Sequence, residues 1–297
     1  MPPETHKHII RATLIGFFAP VLWSIYPTLV LLTNNLPPFE IVAYSYFFSF
    51  CFNIIFLLYK GINPIILLRQ PGKFWLIGTL GISGFNILYI SALKIAPPAQ
   101  VFLVITSWPI MSIILANLLL KEKLHLNHII GGILGFCGII FIALNMGLNS
   151  ISNSAGFIYA FLAAILWAIY SITVRKMGNM PYFMIAGFCG VTALLAAILH
   201  ITFEPNISIN LHQLLLLTAI GLGPSGASYY FWNYGVKNGD IRILSTLSFV
   251  GHFIAVSTLI LFGFSQFSWH IATAFTLIIS GALIGSIGLF YKRALNT

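Results

Sequence analysis

Ten long apolar stretches account for most of this chain, near residues 12–32, 39–59, 74–93, 98–120, 127–146, 156–174, 181–203, 212–236, 241–262 and 269–290. A helix needs about 20 such residues to cross the hydrocarbon core of a bilayer. Lipid offers no hydrogen-bond partners to the backbone, so a spanning segment must be a helix or part of a closed barrel. Continuous apolar runs of this length, without alternation, select helices. Connections are short, and no soluble domain fits between them. With 59% hydrophobic and 6% charged residues, the chain cannot cover a soluble surface. The expected fold class is an all-α membrane protein with ten transmembrane helices.

The basic residues set the expected orientation. One set of helix ends holds Lys7, Arg11, Lys60, Arg69, Lys73, Lys121, Lys123, Arg175, Lys176, Lys237, Arg242, Lys292 and Arg293, and the other holds only Lys94. A bias of thirteen to one puts both termini in the cytoplasm. The opposite side is marked by Thr33–Pro38, Gly147–Ala155, Glu204–Asn210 and Gly263–Ser268, none of which contains Lys or Arg. The net charge of +9 is spread singly between apolar runs, which argues for topology rather than for nucleic-acid binding. The first apolar stretch lacks a small-x-small cleavage site and is expected to be the first helix rather than a signal peptide.

Internal repetition constrains the chain further. Leu22-Trp23-Ser24-Ile25-Tyr26 returns as Leu166-Trp167-Ala168-Ile169-Tyr170, 144 residues later. At an offset of 143, Lys94 falls on Lys237, Tyr89 on Trp232, Asn86 on Tyr229 and Pro109 on His252. The expected units are residues 1–147 and 148–297, each with five spans, joined in one bundle. Five is odd, so the second unit enters the membrane from the opposite face. Inverted repeats of this kind belong to carriers with a substrate site at the midplane between halves.

Local motifs carry a family resemblance. Leu118-Leu119-Leu120-Lys121-Glu122-Lys123-Leu124 leads into Gly131-Gly132-Ile133-Leu134-Gly135-Phe136-Cys137-Gly138. Across its whole length the chain resembles the EamA family of the drug/metabolite transporter superfamily, where an acidic turn precedes a Gly-rich fifth helix. Trp108-Pro109, Leu166-Trp167-Ala168-Ile169-Tyr170 and Trp232-Asn233-Tyr234-Gly235 resemble the aromatic amino-acid exporters of that family. The resemblance implies a ten-helix carrier whose cavity is lined by aromatic side chains. Carried over to this sequence, it implicates Phe85, Tyr89, Trp108 and Trp167. His252 is a departure, since the resemblance implies proline there.

Spacing and depth nominate the remaining candidates. Trp23 and Tyr26 share one face of the first helix, as Trp167 and Tyr170 do on the sixth. Phe85 with Tyr89, and Tyr229 with Asn233, lie four apart on the third and eighth helices, and Trp232 adjoins the second pair. A Trp or Tyr at mid-depth needs a partner for its N–H or O–H, which places it inside the protein or in a wet cavity. Trp75 and Trp269 fit an interfacial belt instead. Ser24, Asn86, Ser107, Asn233, Ser248 and His252 are the notable polar groups at depth. Asn86 and Asn233 suit either substrate binding or interhelical hydrogen bonding. His252 suits either proton linkage or a neutral polar contact. Taken singly, each aromatic suits ordinary packing; as a repeated set they suit a cavity wall.

Other features narrow the chemistry. Glu4, Glu40, Glu122, Glu204 and Asp240 all lie at or beyond helix ends. Small multidrug exporters of the same superfamily rely on a buried glutamate, so a cationic-drug antiporter is disfavoured here. Pro20 and Pro27 are expected to interrupt the first helix, Pro109 the fourth and Pro224 the eighth, freeing backbone carbonyls. Gly131-x-x-x-Gly135 and Gly281-x-x-x-Gly285 permit close helix approach. They read as contacts within a monomeric bundle, with homodimerisation as the alternative. Cys51, Cys137 and Cys189 lie in apolar stretches and show no disulfide or metal spacing. No cofactor motif and no HExxH or GxSxG signature is present, which argues against an enzyme.

The expected function is export or uptake of aromatic or bulky neutral amino acids by alternating access, in the inner membrane of a bacterium. The expected partners are a small-molecule substrate and the lipid bilayer. A carrier of nucleoside-like compounds or S-adenosylmethionine is the alternative, since these stack on the same rings. A non-transporting scaffold or receptor lacks a use for inverted symmetry. Without a mid-membrane carboxylate, the expected energetics are facilitated diffusion or linkage to protons through His252.

Overall fold

The computed structural model describes residues 3–108, 111–112, 115, 126–127, 130–131, 133–135, 137–138, 141, 151–239 and 241–294. All regular structure among them is helical. Six helices are long and apolar enough to cross a membrane: His8–Leu32, Pro38–Tyr59, Gly72–Ile95, Ser154–Met177, Met184–Phe203 and Leu211–Asn238. They coincide with the first, second, third, sixth, seventh and eighth expected spans. The fourth is described over Pro98–Ile105 and the ninth and tenth over Ile241–Leu261 and Trp269–Ala294. Much of the fifth, together with Pro109 and the Lys121-Glu122-Lys123 turn, lies outside the described residues.

Among the described residues, three of the spans are broken. The first consists of α1 (Pro3–Ser24) and α2 (Tyr26–Leu32), separated at Ile25. Pro27 has no N–H to offer the preceding turn and fits only in the first turn of a new helix, where it stands. Pro20, expected to interrupt this span as well, remains inside α1. After α3 (Pro38–Tyr59), the third span runs as α4 (Gly72–Gly78), a π-type turn over Thr79–Gly84, and α5 (Phe85–Ile95). The helix α6 (Pro98–Ile105) opens the fourth span. After α7 (Ile151–Met177) and α8 (Met184–Phe203), the eighth span repeats the pattern of the third: α9 (Leu211–Leu222), a π-type turn over Gly223–Ala227, and α10 (Ser228–Asn238). Shifted by 143, the first π-turn falls on 222–227, almost on the second. Such wide turns recur at functional positions in helices. The last helices are α11 (Ile241–Leu261) and α12 (Trp269–Ala294).

Packing joins early helices to late ones. The main helix pairs are α3 with α8, α1 with α10 and α11, and α5 with α7. Glycine makes the closest of these crossings: a Cβ on Gly16 would stand 2.8 Å from Gly235 Cα, so α1 and α10 touch backbone to backbone. Likewise a Cβ on Gly281 would stand 2.5 Å from the carbonyl oxygen of Gly131 and 2.8 Å from Gly135 N, so the two GxxxG motifs meet inside the bundle. The outward faces are apolar. Phe47, Ile55 and Leu58 are exposed on α3, as are Leu194, Ile198 and Ile201 on α8. Trp269 is exposed too, whereas Trp75, expected in the same belt, packs inward on Phe188 at a ring separation of 6.1 Å.

A candidate substrate cavity

The breaks in the helices converge on a cavity. It is a partly open cleft between helices of both ends of the chain. Its wall takes Pro20, Trp23, Ser24 and Tyr26 from the broken first span, and Phe85, Asn86 and Tyr89 from the helix after the first π-turn. Phe102, Ile105 and Trp108 come from the fourth span, Trp167 from α7, and Pro224 and Tyr229 from the eighth. The ninth contributes Ser248, Gly251 and His252. Among the described residues that line it, none is Asp, Glu, Lys or Arg.

Ten of the thirteen sequence-nominated residues stand in this wall: Trp23, Tyr26, Phe85, Asn86, Tyr89, Trp108, Trp167, Tyr229, Ser248 and His252. Tyr170, Trp232 and Asn233 do not line it and stand behind Trp167 and its neighbours. Trp232 is fully buried, with ring centroids 5.2 Å from Trp23, 5.5 Å from Trp108 and 6.0 Å from Trp167. The Tyr170 ring lies 5.3 Å from that of Trp167, and Asn233 Nδ2 donates to the Tyr170 hydroxyl at 3.3 Å. The two tryptophans of the repeated motif meet edge to face, 5.2 Å apart and inclined at 85°. Trp167 also touches the rings of Phe85 and Tyr229, at 5.4 and 6.0 Å. Aromatic pairs in such geometry hold one another beyond their burial.

The polar groups of the wall are largely spent on one another. Asn86 Nδ2 donates to the Ile82 carbonyl at 2.8 Å and to the Tyr229 hydroxyl at 3.1 Å. Its Oδ1 accepts from the Tyr26 hydroxyl at 2.9 Å. Both amide hydrogens are therefore used, so Asn86 acts as a knot between three helices. Tyr229 also shares a 2.7 Å hydrogen bond with the hydroxyl of Tyr46, a fully buried residue of α3. The Trp23 indole N–H donates to the Pro224 carbonyl at 3.1 Å and to the Ser228 hydroxyl at 2.8 Å, so that carbonyl in the π-turn is occupied by protein. Ser24 and Ser248 bond back to their own helices, at Val21 and Leu244. One hydroxyl differs. Tyr89 is 2% exposed, and its O–H has no protein partner. The His252 ring lies 5.4 Å from that of Phe102.

Sequence reasoning left out Phe102, Ile105, Gly251, Pro224 and Pro20 as wall residues. Phe102, Ile105 and Trp108 recur every three residues, so the same face argument applied to Trp108 reaches the other two. Gly251 carries no such signal; it is there because a Cβ would stand 2.6 Å from the Pro20 carbonyl oxygen.

Known proteins resemble this chain along most of its length. An aromatic amino acid exporter, YddG, of Ancylobacter novellus is 34% identical over 279 residues, covering 93% of this chain and 97% of its own. The protein of the same name from Salmonella typhimurium is 28% identical over 80% of this chain and 84% of its own. A solved crystal structure with 34% identity covers 93% of this chain and 98% of its own, with a TM-score of 0.77. The model of the EamA-like transporter family matches twice, over residues 10–144 and again over 154–287. A family match to each half, around a cavity that both halves wall, leaves one conclusion: the chain is an integral membrane protein and belongs to the EamA-like transporter family.

Proposed function

We propose that this transporter carries aromatic or bulky neutral amino acids across the inner membrane of a bacterium by alternating access, with the substrate held in the aromatic cavity. One observation carries the reading. The wall consists of rings and neutral polar groups, and the Tyr89 hydroxyl in it is buried without a protein partner. A buried hydroxyl left unpaired costs about 1–3 kcal/mol, and a substrate carboxylate removes that cost. Indole and phenol faces suit the ammonium group and the substrate's own ring. Among the described lining residues a net-charged substrate finds no carboxylate, lysine or arginine as counter-ion, whereas a zwitterion brings its own. The names of the relatives from Ancylobacter novellus and Salmonella typhimurium support the same substrate class.

In this reading ten helices form two inverted five-helix halves with both termini in the cytoplasm. The repeated motif, the double family match and the π-turns at repeat-related positions support it. Tyr170, Trp232 and Asn233 support the wall from behind, and one copy of the chain holds the whole path. The test is counterflow in proteoliposomes preloaded with tryptophan, phenylalanine, tyrosine or nucleoside-like compounds. Exchange of the aromatic amino acids is expected. Exchange of nucleoside-like compounds alone would move the assignment to that class. Within the same assay, Trp167→Ala and Trp108→Ala are expected to cut exchange about tenfold or more, as for buried aromatic anchors elsewhere, while the protein stays in the membrane. Full activity in both would place the substrate elsewhere.

A further inference from the structure

A second polar cluster lies at the end of the bundle that carries residues 33–38 and 204–210. Its starting point is the N-terminus of α3. Pro37 and Pro38 have no N–H, and the cap position offers no side-chain bond. Phe39 and Glu40 therefore hold the first free amide hydrogens of the helix. Both are taken by one carboxylate, Glu204, at 2.9 and 3.1 Å. Glu204 follows α8, so the second half of the chain caps a helix of the first.

His200 completes the cluster. Its Nδ1 stands 3.0 Å from Glu204 Oε2, and its Nε2 stands 4.0 Å from Glu40 Oε1. Glu40 is 3% exposed and His200 9%. Glu40 Oε2 has no hydrogen-bond partner. From α5, Lys94 interacts electrostatically with Glu204 and donates to the Asn34 carbonyl at 2.8 Å. From α9 comes only the neutral Gln213, which is spent on the Thr33 carbonyl and Asn35 Oδ1 at 3.0 and 3.2 Å.

We propose that Glu40, His200 and Glu204 form a proton-binding site, separate from the substrate cavity, that holds this end of the two halves together when it is occupied. With a proton on His200, Nδ1 donates to Glu204 at 3.0 Å and the ring's charge stands 4.0 Å from Glu40, with Lys94 adding its field at Glu204. Without it the imidazole keeps one N–H. If Glu204 retains that donor, a bare nitrogen lone pair faces Glu40, whose other oxygen is already unpaired. Two carboxylates then share a buried site with one cation, an arrangement burial makes costly. Proton release therefore weakens the tie between α3 and the end of α8, and protonation strengthens it.

The test needs no substrate, so it stands or falls apart from the amino-acid assignment. Hydrogen exchange of the peptide spanning residues 33–41 is followed by mass spectrometry in the full-length purified protein at about pH 6 and 8. Rates are divided by the intrinsic exchange rate at each pH. The wild-type peptide is expected to lose protection about tenfold as pH rises, the worth of one hydrogen bond to a charged group. In His200→Gln, which keeps an amide donor but does not titrate, the response shrinks markedly, Lys94 being left as the cation of the cluster. In Glu40→Gln it is attenuated, because the repulsion that follows proton release is gone. Parallel profiles in wild type and His200→Gln overturn the proposal, and so does a flat wild-type profile. If His200→Gln does not fold, an undiminished pH response in Glu40→Gln overturns it equally.

Discussion

At the scale of single residues, the wall of the cavity separates groups that hold the protein from groups free to hold a substrate. Asn86 and Tyr89 are one helical turn apart and make the sharpest contrast. Asn86 has three hydrogen bonds to Tyr26, Ile82 and Tyr229, while the Tyr89 hydroxyl has none. Asn86→Ala leaves two phenolic oxygens short of a partner in a buried place. Interhelical hydrogen bonds in membranes are worth roughly 0.6–2 kcal/mol each, so the loss is expected at about 1–3 kcal/mol. A fall of several degrees in the melting temperature in detergent is the readout, and an unchanged midpoint contradicts the knot. Tyr89→Phe should behave in the opposite way. It removes no protein contact, so the midpoint holds, while counterflow of an amino acid with a free carboxylate falls about tenfold, as for a hydrogen bond to a charged group. The corresponding amide or amine should lose much less. The spacing of rings on helix faces made most of these residues legible in the sequence. It could not separate Tyr170, Trp232 and Asn233 from the wall, because period gives the face of a helix and not its distance from a cavity.

At the scale of elements, the breaks matter more than the helices. Runs of apolar residues predict where a helix exists, and six of the expected spans appear close to the expected limits. The interruptions were legible only where proline causes them. Pro27 and Pro224 sit at or beside breaks, while Pro20 is accommodated inside α1. The π-turn at Thr79–Gly84 contains no proline and was missed. It arises where Gly78, Gly81 and Gly84 allow close approach: a Cβ on Gly81 would stand 2.5 Å from Tyr170 Cβ, and one on Gly78 2.2 Å from the Phe188 ring. Contacts with residues about a hundred positions away decide such a turn, and no local pattern records them. Pro27→Ala tests the break between α1 and α2. It restores an N–H for the preceding turn and removes a residue that costs about 3 kcal/mol inside a helix. A higher melting temperature with a slower counterflow rate is expected, because a continuous first helix loses the flex between Trp23 and Tyr26. Faster counterflow would show that the break is not needed for movement.

At the scale of the molecule, one residue stands against the charge bias, and its surroundings explain how it is tolerated. Lys94 is the single basic residue assigned to the far side, and it is spent on the Asn34 carbonyl and on Glu204. Its repeat partner Lys237 does the equivalent at the other end, donating to the Met180 carbonyl in the loop between α7 and α8. Each lysine thus closes the loop between the first and second spans of its own half. Such a pair is what two copies of one unit produce when they stand in opposite orientation. Glu40 shows the limit of sequence reading at this scale. The sequence places it at a helix end and says nothing of its burial, which comes from packing against His200 and Glu204, more than 150 positions away. The expected orientation follows from the same charges. Fluorescent-protein fusions at either terminus are expected to mature and fluoresce, as they do only in the cytoplasm. In a chain whose native cysteines are replaced, a cysteine at Asn206 should react with an impermeant maleimide added outside the cell, and one at Gly61 should react only after the membrane is opened. Labelling of Gly61→Cys alone from outside would reverse the topology, and labelling of both would contradict their placement on opposite faces.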